Sequence, residues 1–151
     1  MLVIGHMLKY FLIVFPVLFL TTTLAIADNE ILGLWVPEEK DAVYDFYKCG
    51  EAICAKVIEL KEPLNSEGKP KVDSLNEDES LRQRPILGMQ FLNGLKKKKK
   101  GVWHKGTVYN PRDGKIYKAI MKLKNDGTLD VRGFVGFSLI GKSTIFTRKE
   151  Q

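Results

Sequence analysis

The chain has 151 residues, 44% of them hydrophobic and 28% charged, with 24 Lys and Arg against 18 Asp and Glu for a net charge of +6. That length suits one domain of common size, and one core is expected. The positive balance favours anionic partners such as lipid headgroups, surface polysaccharide or acidic proteins, without saying anything about fold.

Met1–Ala27 reads as a secretory signal peptide. Lys9 supplies the positive charge, Tyr10–Leu20 is apolar apart from the break at Pro16, and Ala25-Ile26-Ala27 gives the small-x-small pattern of a cleavage site. The apolar run is too short to cross a hydrocarbon core of about 30 Å, and no basic stop-transfer cluster follows it. Cleavage near Ala27 is therefore expected, leaving residues 28–151 as one exported domain, periplasmic or secreted. In that compartment nucleic acid is not an expected partner, and the membrane is met only through the signal peptide or by peripheral contact. A monomer is expected.

Beyond Asp28 the chain is a series of short runs rich in β-branched and aromatic residues: Leu32–Val36, Ala42–Lys48, Ile53–Leu60, Ile86–Asn93, Val102–Tyr109, Lys115–Leu123, Thr128–Phe134 and Ser143–Arg148. Most links between them are short, and Asn125-Asp126-Gly127 has the chemistry of a tight hairpin. About eight strands joined this way form an up-and-down antiparallel meander. Closing it into a small β-barrel removes the exposed edges of an open sheet. Alternation supports one buried face: Tyr117, Ala119, Met121 and Leu123 alternate with Lys118, Lys122 and Lys124, although Ile116 and Ile120 blur the pattern, and Leu129, Val131 and Val135 oppose Thr128, Asp130 and Arg132.

Cys49 and Cys54 flank a turn containing Gly50, and in an oxidising compartment such a close pair is most simply a disulfide stapling a hairpin. The spacing is not that of a Cys-x-x-Cys redox motif. The connection Lys61–Pro85 is long and polar, with Pro63, Gly68, Pro70 and Pro85, and resembles a lid or binding element. Within it a short helical turn is predicted at Asn76–Arg82, with Asn76 as N-cap and Glu79 at N3.

Gly33-Leu34-Trp35, Cys49-Gly50-x-x-x-Cys54, Leu81-Arg82-x-Arg84-Pro85-x-Leu87-Gly88, Gly106-x-Val108-Tyr109-x-Pro111-x-x-Gly114-Lys115-x-Tyr117 and Val131-Arg132-Gly133-Phe134-Val135-Gly136 run in this order through the chain. Together they resemble an exported bacterial family catalogued as domain of unknown function 2147. The resemblance implies no biochemical activity. The early Gly-x-Trp is also similar to the lipocalin and calycin barrels. That similarity implies a calycin-like barrel closed at one end by Trp35, under an Arg of the last strand, here Arg148. An indole can fill the narrow end while a guanidinium stacks on its face.

Few residues are available for catalysis. Loss of the leader removes His6 and leaves His104 as the sole histidine, and oxidised cysteines do not ligate zinc, so neither a metal site nor a cofactor is expected. Gly136-Phe137-Ser138-Leu139-Ile140-Gly141 departs from the nucleophile elbow by one residue and lacks a following helix, so it reads as a turn between strands. No catalytic residue is assigned, and the protein is expected not to be an enzyme.

Three arginines, Arg82, Arg84 and Arg132, can form a fork for a carboxylate or phosphate, or pair with Asp73, Glu77, Asp78 or Glu79 and pin the loop. The aromatic residues Trp103, Tyr109, Tyr117, Phe91 and Phe134 can line a ligand cavity or fill the interior. Lys96, Lys97, Lys98, Lys99 and Lys100 are expected at a solvated loop tip, where they form a basic patch. Two functional readings follow: a non-enzymatic barrel binding a small apolar or anionic ligand or envelope component at its open end, and an interaction protein using its basic surface.

Overall fold

The computed structural model of the protein describes residues 30–150. The signal-peptide reading of Met1–Ala27 lies outside the described residues. Eight strands close into one antiparallel up-and-down barrel: β1 Gly33–Pro37, β2 Ala42–Cys49, β3 Ala52–Leu60, β4 Gln90–Lys99, β5 Val102–Asn110, β6 Lys115–Leu123, β7 Leu129–Phe134 and β8 Gly141–Arg148. Closure comes from β1 pairing with β8, Trp35 opposite Arg148 and Val36 opposite Thr147. Among the described residues no helix is long and apolar enough to cross a membrane.

The even strand number sorts the connections to two ends. The tight hairpins at Gly50, Gly101 and Gly127 share one end with the chain entering β1 and leaving β8. These three glycines have positive φ (69°, 69° and 81°), as tight reversals require. The other end carries the β1–β2, β5–β6 and β7–β8 loops and the long connection between Leu60 and Gln90.

The first end is packed solid. Ile31, Trp35, Phe46, Ile53, Leu92, Leu95, Trp103, Met121 and Leu129 form one buried cluster. The Trp35 indole donates to the Ile31 carbonyl at 2.9 Å, and the Arg148 guanidinium lies 4.4 Å from the Trp35 ring centre. Arg148 also donates to the carbonyls of Leu32, at 3.0 Å, and Glu30, so one side chain ties the entering segment to the last strand. A disulfide joins Cys49 and Cys54 across the β2–β3 hairpin, with Cα atoms 5.8 Å apart, a bond suited to an oxidising compartment.

Two expectations need correction. The fourth strand is not Ile86–Asn93 but Gln90–Lys99. Ile86–Met89 turns instead, with the Gly88 amide bonded to the Val57 carbonyl. Gly94 does not end the strand: its left-handed backbone (φ 69°) sits in a bulge, where Ile53 pairs with Leu95 and Ala55 with Leu92. Lys96–Lys99 thus belong to β4, and only Lys100 lies in the turn.

The short helical turn is a 3-10 turn at Glu79–Leu81 whose N-cap is Asp78, not Asn76. Asn76 instead accepts from the Asp78 amide at 2.8 Å and turns its amide group inward, onto Asp73.

Candidate functional site

Above the packed floor the barrel is hollow. A cavity of about 1130 Å³ opens at the loop-bearing end. Its apolar wall comes from alternate residues of the strands, Val57, Phe91, Val108, Val131 and Phe146 among them. Tyr44 stands at the transition from apolar to polar lining. Its ring packs 4.5 Å from that of Phe91 and 5.5 Å from that of Phe146, centroid to centroid. No described residue hydrogen-bonds to its hydroxyl. Burial, with Asp41 nearby, pushes the Tyr44 phenol up to about 12, so it remains a neutral donor at physiological pH.

Charged groups ring the mouth. Arg112, from the β5–β6 turn, reaches Asp41, beside the start of β2, at 2.5 Å. These two connections stand on opposite sides of an eight-strand ring, so the ion pair straps the mouth. Lys61, Lys71, Lys142, Glu39 and Glu62 line the rest of the rim.

The long connection is fastened by one buried carboxylate. Asp73, fully buried, accepts from the Tyr109 hydroxyl at 2.5 Å, from Asn76 Nδ2 at 2.7 Å and from Arg84 at 2.7 Å. Burial alone would raise the Asp73 pKa. The hydrogen bonds from Tyr109, Asn76 and Arg84 outweigh it and hold the carboxyl below its ordinary value. Burial and the same Asp73 bond push Tyr109 up to about 12. Gly114 completes the seam: a Cβ there would lie 1.7 Å from the Leu75 carbonyl oxygen, so only glycine lets the loop approach.

The residues singled out in the sequence divide between these places. Tyr109 and Tyr117 line the cavity, as do Phe91 and Phe134. Trp103 is in the packed floor. The arginine fork does not form. Arg84 is paired with Asp73, and Arg82 donates to the Asn76 carbonyl and to Glu79. Arg132 is bonded to the carbonyls of Ser138, at 2.6 Å, and Leu139, at 3.1 Å, in the β7–β8 loop. Lys96–Lys100 are exposed at the opposite end of the barrel from the mouth and from Arg82 and Arg84, so the lysines and loop arginines do not share one surface.

Tyr44, Asp41, Arg112 and Thr144 are site residues the sequence reading did not single out. Tyr44 had a signal, because Ala42, Tyr44 and Phe46 alternate on one face of β2. The Asp41–Arg112 pair had none, its members being 71 residues apart. Among the described residues no group of three or more His, Cys, Asp or Glu side chains is placed to hold a metal ion.

No curated protein matches the chain. Among solved structures it is similar to protein HP1028 of the human pathogen Helicobacter pylori, described as belonging to the lipocalin family. The two share 25% identity with a TM-score of 0.68, over 79% of this chain and 82% of that one. A family described as an uncharacterized protein conserved in bacteria (DUF2147) matches residues 33–148, so the chain belongs to that family.

Proposed function

We propose that the protein is an exported binding protein that holds a small, mainly apolar molecule with one polar or anionic end in its open-end cavity. The observation that carries this reading is the division of the barrel into a packed floor and a hollow, apolar-walled upper half. Ligand sites of this size are mostly apolar with a few placed polar groups, and eight-strand barrels have room for one small ligand. The Tyr44 hydroxyl is a polar group inside the wall that has no partner among the described residues, and Lys61 and Lys142 at the rim suit an anionic end. The lipocalin-family description of the Helicobacter pylori protein supports binding over catalysis. The disulfide supports export, with the mature chain beginning after Ala27 as a monomer in the periplasm or medium.

Fluorescence titration with N-phenyl-1-naphthylamine tests this reading. Thr144 lines the cavity outside the packed cluster, so Thr144→Trp projects an indole into the space. The expected result is probe enhancement by the wild-type protein and binding weakened about tenfold or more in the folded variant. Equal binding by the two proteins overturns the reading.

A further inference from the structure

The β7–β8 loop exposes four apolar side chains, of which Phe137 and Leu139 take no part in the cavity lining. Val135 is 64% exposed, Phe137 80%, Leu139 88% and Ile140 70%. Ile116 of β6, at 69%, extends the patch: the register pairs Lys118 with Phe134, which brings Ile116 level with Gly136. A contiguous group of large exposed apolar side chains marks an interaction surface.

The loop is also held in shape. Arg132 donates to the carbonyls of Ser138 and Leu139 from below, and the Ile140 amide closes a turn onto the Phe137 carbonyl at 3.0 Å. Phe137 and Leu139 are thus presented on a fixed projection.

On the outer faces of the two strands beside the loop the charge is positive, while the acids Glu39, Asp41, Glu62 and Asp113 lie on the mouth. No Asp or Glu occurs between Asp130 and Glu150, and at the loop-bearing end that stretch carries Arg132 and Lys142. At the same end the adjacent strand β6 begins with Lys115 and carries Lys118 opposite Phe134. Lys118 and Lys142, both exposed, flank the tip. A second copy of this chain on the patch would bring like charges together.

We propose that this loop docks the barrel on an anionic lipid bilayer, with Phe137, Leu139 and Ile140 entering the headgroup–acyl boundary and Lys118 and Lys142 meeting the headgroups. Apolar side chains and lysines cooperate in this way at membrane surfaces, neither needing to be strong alone. Val135 and Ile140 also line the cavity mouth, so docking turns the opening toward the bilayer. The proposal does not depend on what the cavity binds, because its test reads membrane contact alone.

The experiment uses the exported protein as recovered from expressing cells, floated with vesicles of phosphatidylcholine alone or mixed with phosphatidylglycerol. Wild-type protein is expected to float with the mixed vesicles, and Phe137→Ser combined with Leu139→Ser to reduce binding about tenfold or more. Phe137→Trp adds a direct reading, since both native tryptophans, Trp35 and Trp103, are buried. Its emission is expected to shift to the blue on mixed vesicles and to be quenched by brominated acyl chains. Absence of flotation, flotation unchanged in the double variant, or a tryptophan that brominated lipid does not quench overturns the proposal. So does a loop-dependent dimer seen without vesicle binding, which would make a second copy the occupant.

Discussion

The Tyr109 hydroxyl donates to the Asp73 carboxylate at 2.5 Å, joining barrel wall to long connection at a point where the carboxylate has no contact with solvent. Asn76 and Arg84 complete its hydrogen bonding. Removing one donor leaves a buried acceptor short of a partner, which costs about 1–3 kcal/mol. Tyr109→Phe is therefore expected to lower stability by about that amount, with faster amide exchange in residues 61–89. Equilibrium unfolding and hydrogen exchange check both. An unchanged midpoint and unchanged exchange would mean the connection is held by other contacts.

The same cluster gives a pH dependence with a definite sign. The folded Asp73 pKa is below its unfolded value, so its stabilisation is complete above the ordinary carboxylate pKa near 4 and is lost as pH falls through the folded value. Unfolding midpoints measured downward from pH 5 are expected to fall less steeply in Asp73→Asn than in the wild type. Tyr109 acts at the other extreme: its pKa is raised from 10.0 to about 12, so its contribution is intact below pH 10 and lost between 10 and 12. Parallel wild-type and variant curves in both windows would count against the cluster.

Gly114 lies where loop and turn touch, at φ 73° with the Leu75 carbonyl in the space of a side chain. Gly114→Ala combines left-handed backbone strain with a clash against backbone, and an expected loss of about 2 kcal/mol or more. Gly68, also left-handed but with nothing within 4 Å, is the control: Gly68→Ala is expected to cost about 1 kcal/mol, the backbone term alone. Thermal melts of the two variants compare them directly.

The Arg112–Asp41 pair is well exposed, so its contribution to stability is about 0–1 kcal/mol. Its position across the mouth matters more. Arg112→Ala is expected to leave the melting temperature nearly unchanged and to raise the dissociation rate of a cavity probe, measured by stopped-flow displacement. A large loss of stability would instead make the strap a structural element.

Much of the barrel was legible in the chain. β6 and β7 alternate because one face meets the core and the other water, Ile116 and Ile120 being the exceptions on the outer face of β6, and the Asn-Asp-Gly turn between them has few other solutions. β4 was misread because Gly94 and the lysine run look like loop chemistry. The flanking strands β3 and β5 supply ladder partners to a segment whose own β propensity is low, and the bulge absorbs the glycine. Asn76 carried a plausible capping signal, but the turn starts two residues later at Asp78, and Asn76 Nδ2 is held by Asp73 and by Tyr109, a contact 33 residues away that no local pattern encodes. The cavity was equally hidden. Trp103 and Tyr117 both point inward in sequence terms, yet only depth along the barrel decides which one fills the floor and which one lines a space.

Native mass spectrometry of the protein recovered from the envelope of exporting cells, with solvent extraction of what co-purifies, tests ligand binding most directly. A stoichiometric small-molecule adduct on the wild-type protein, reduced on Thr144→Trp, is the predicted result. A wild-type protein that is folded but empty, or an adduct that Thr144→Trp carries undiminished, would contradict it.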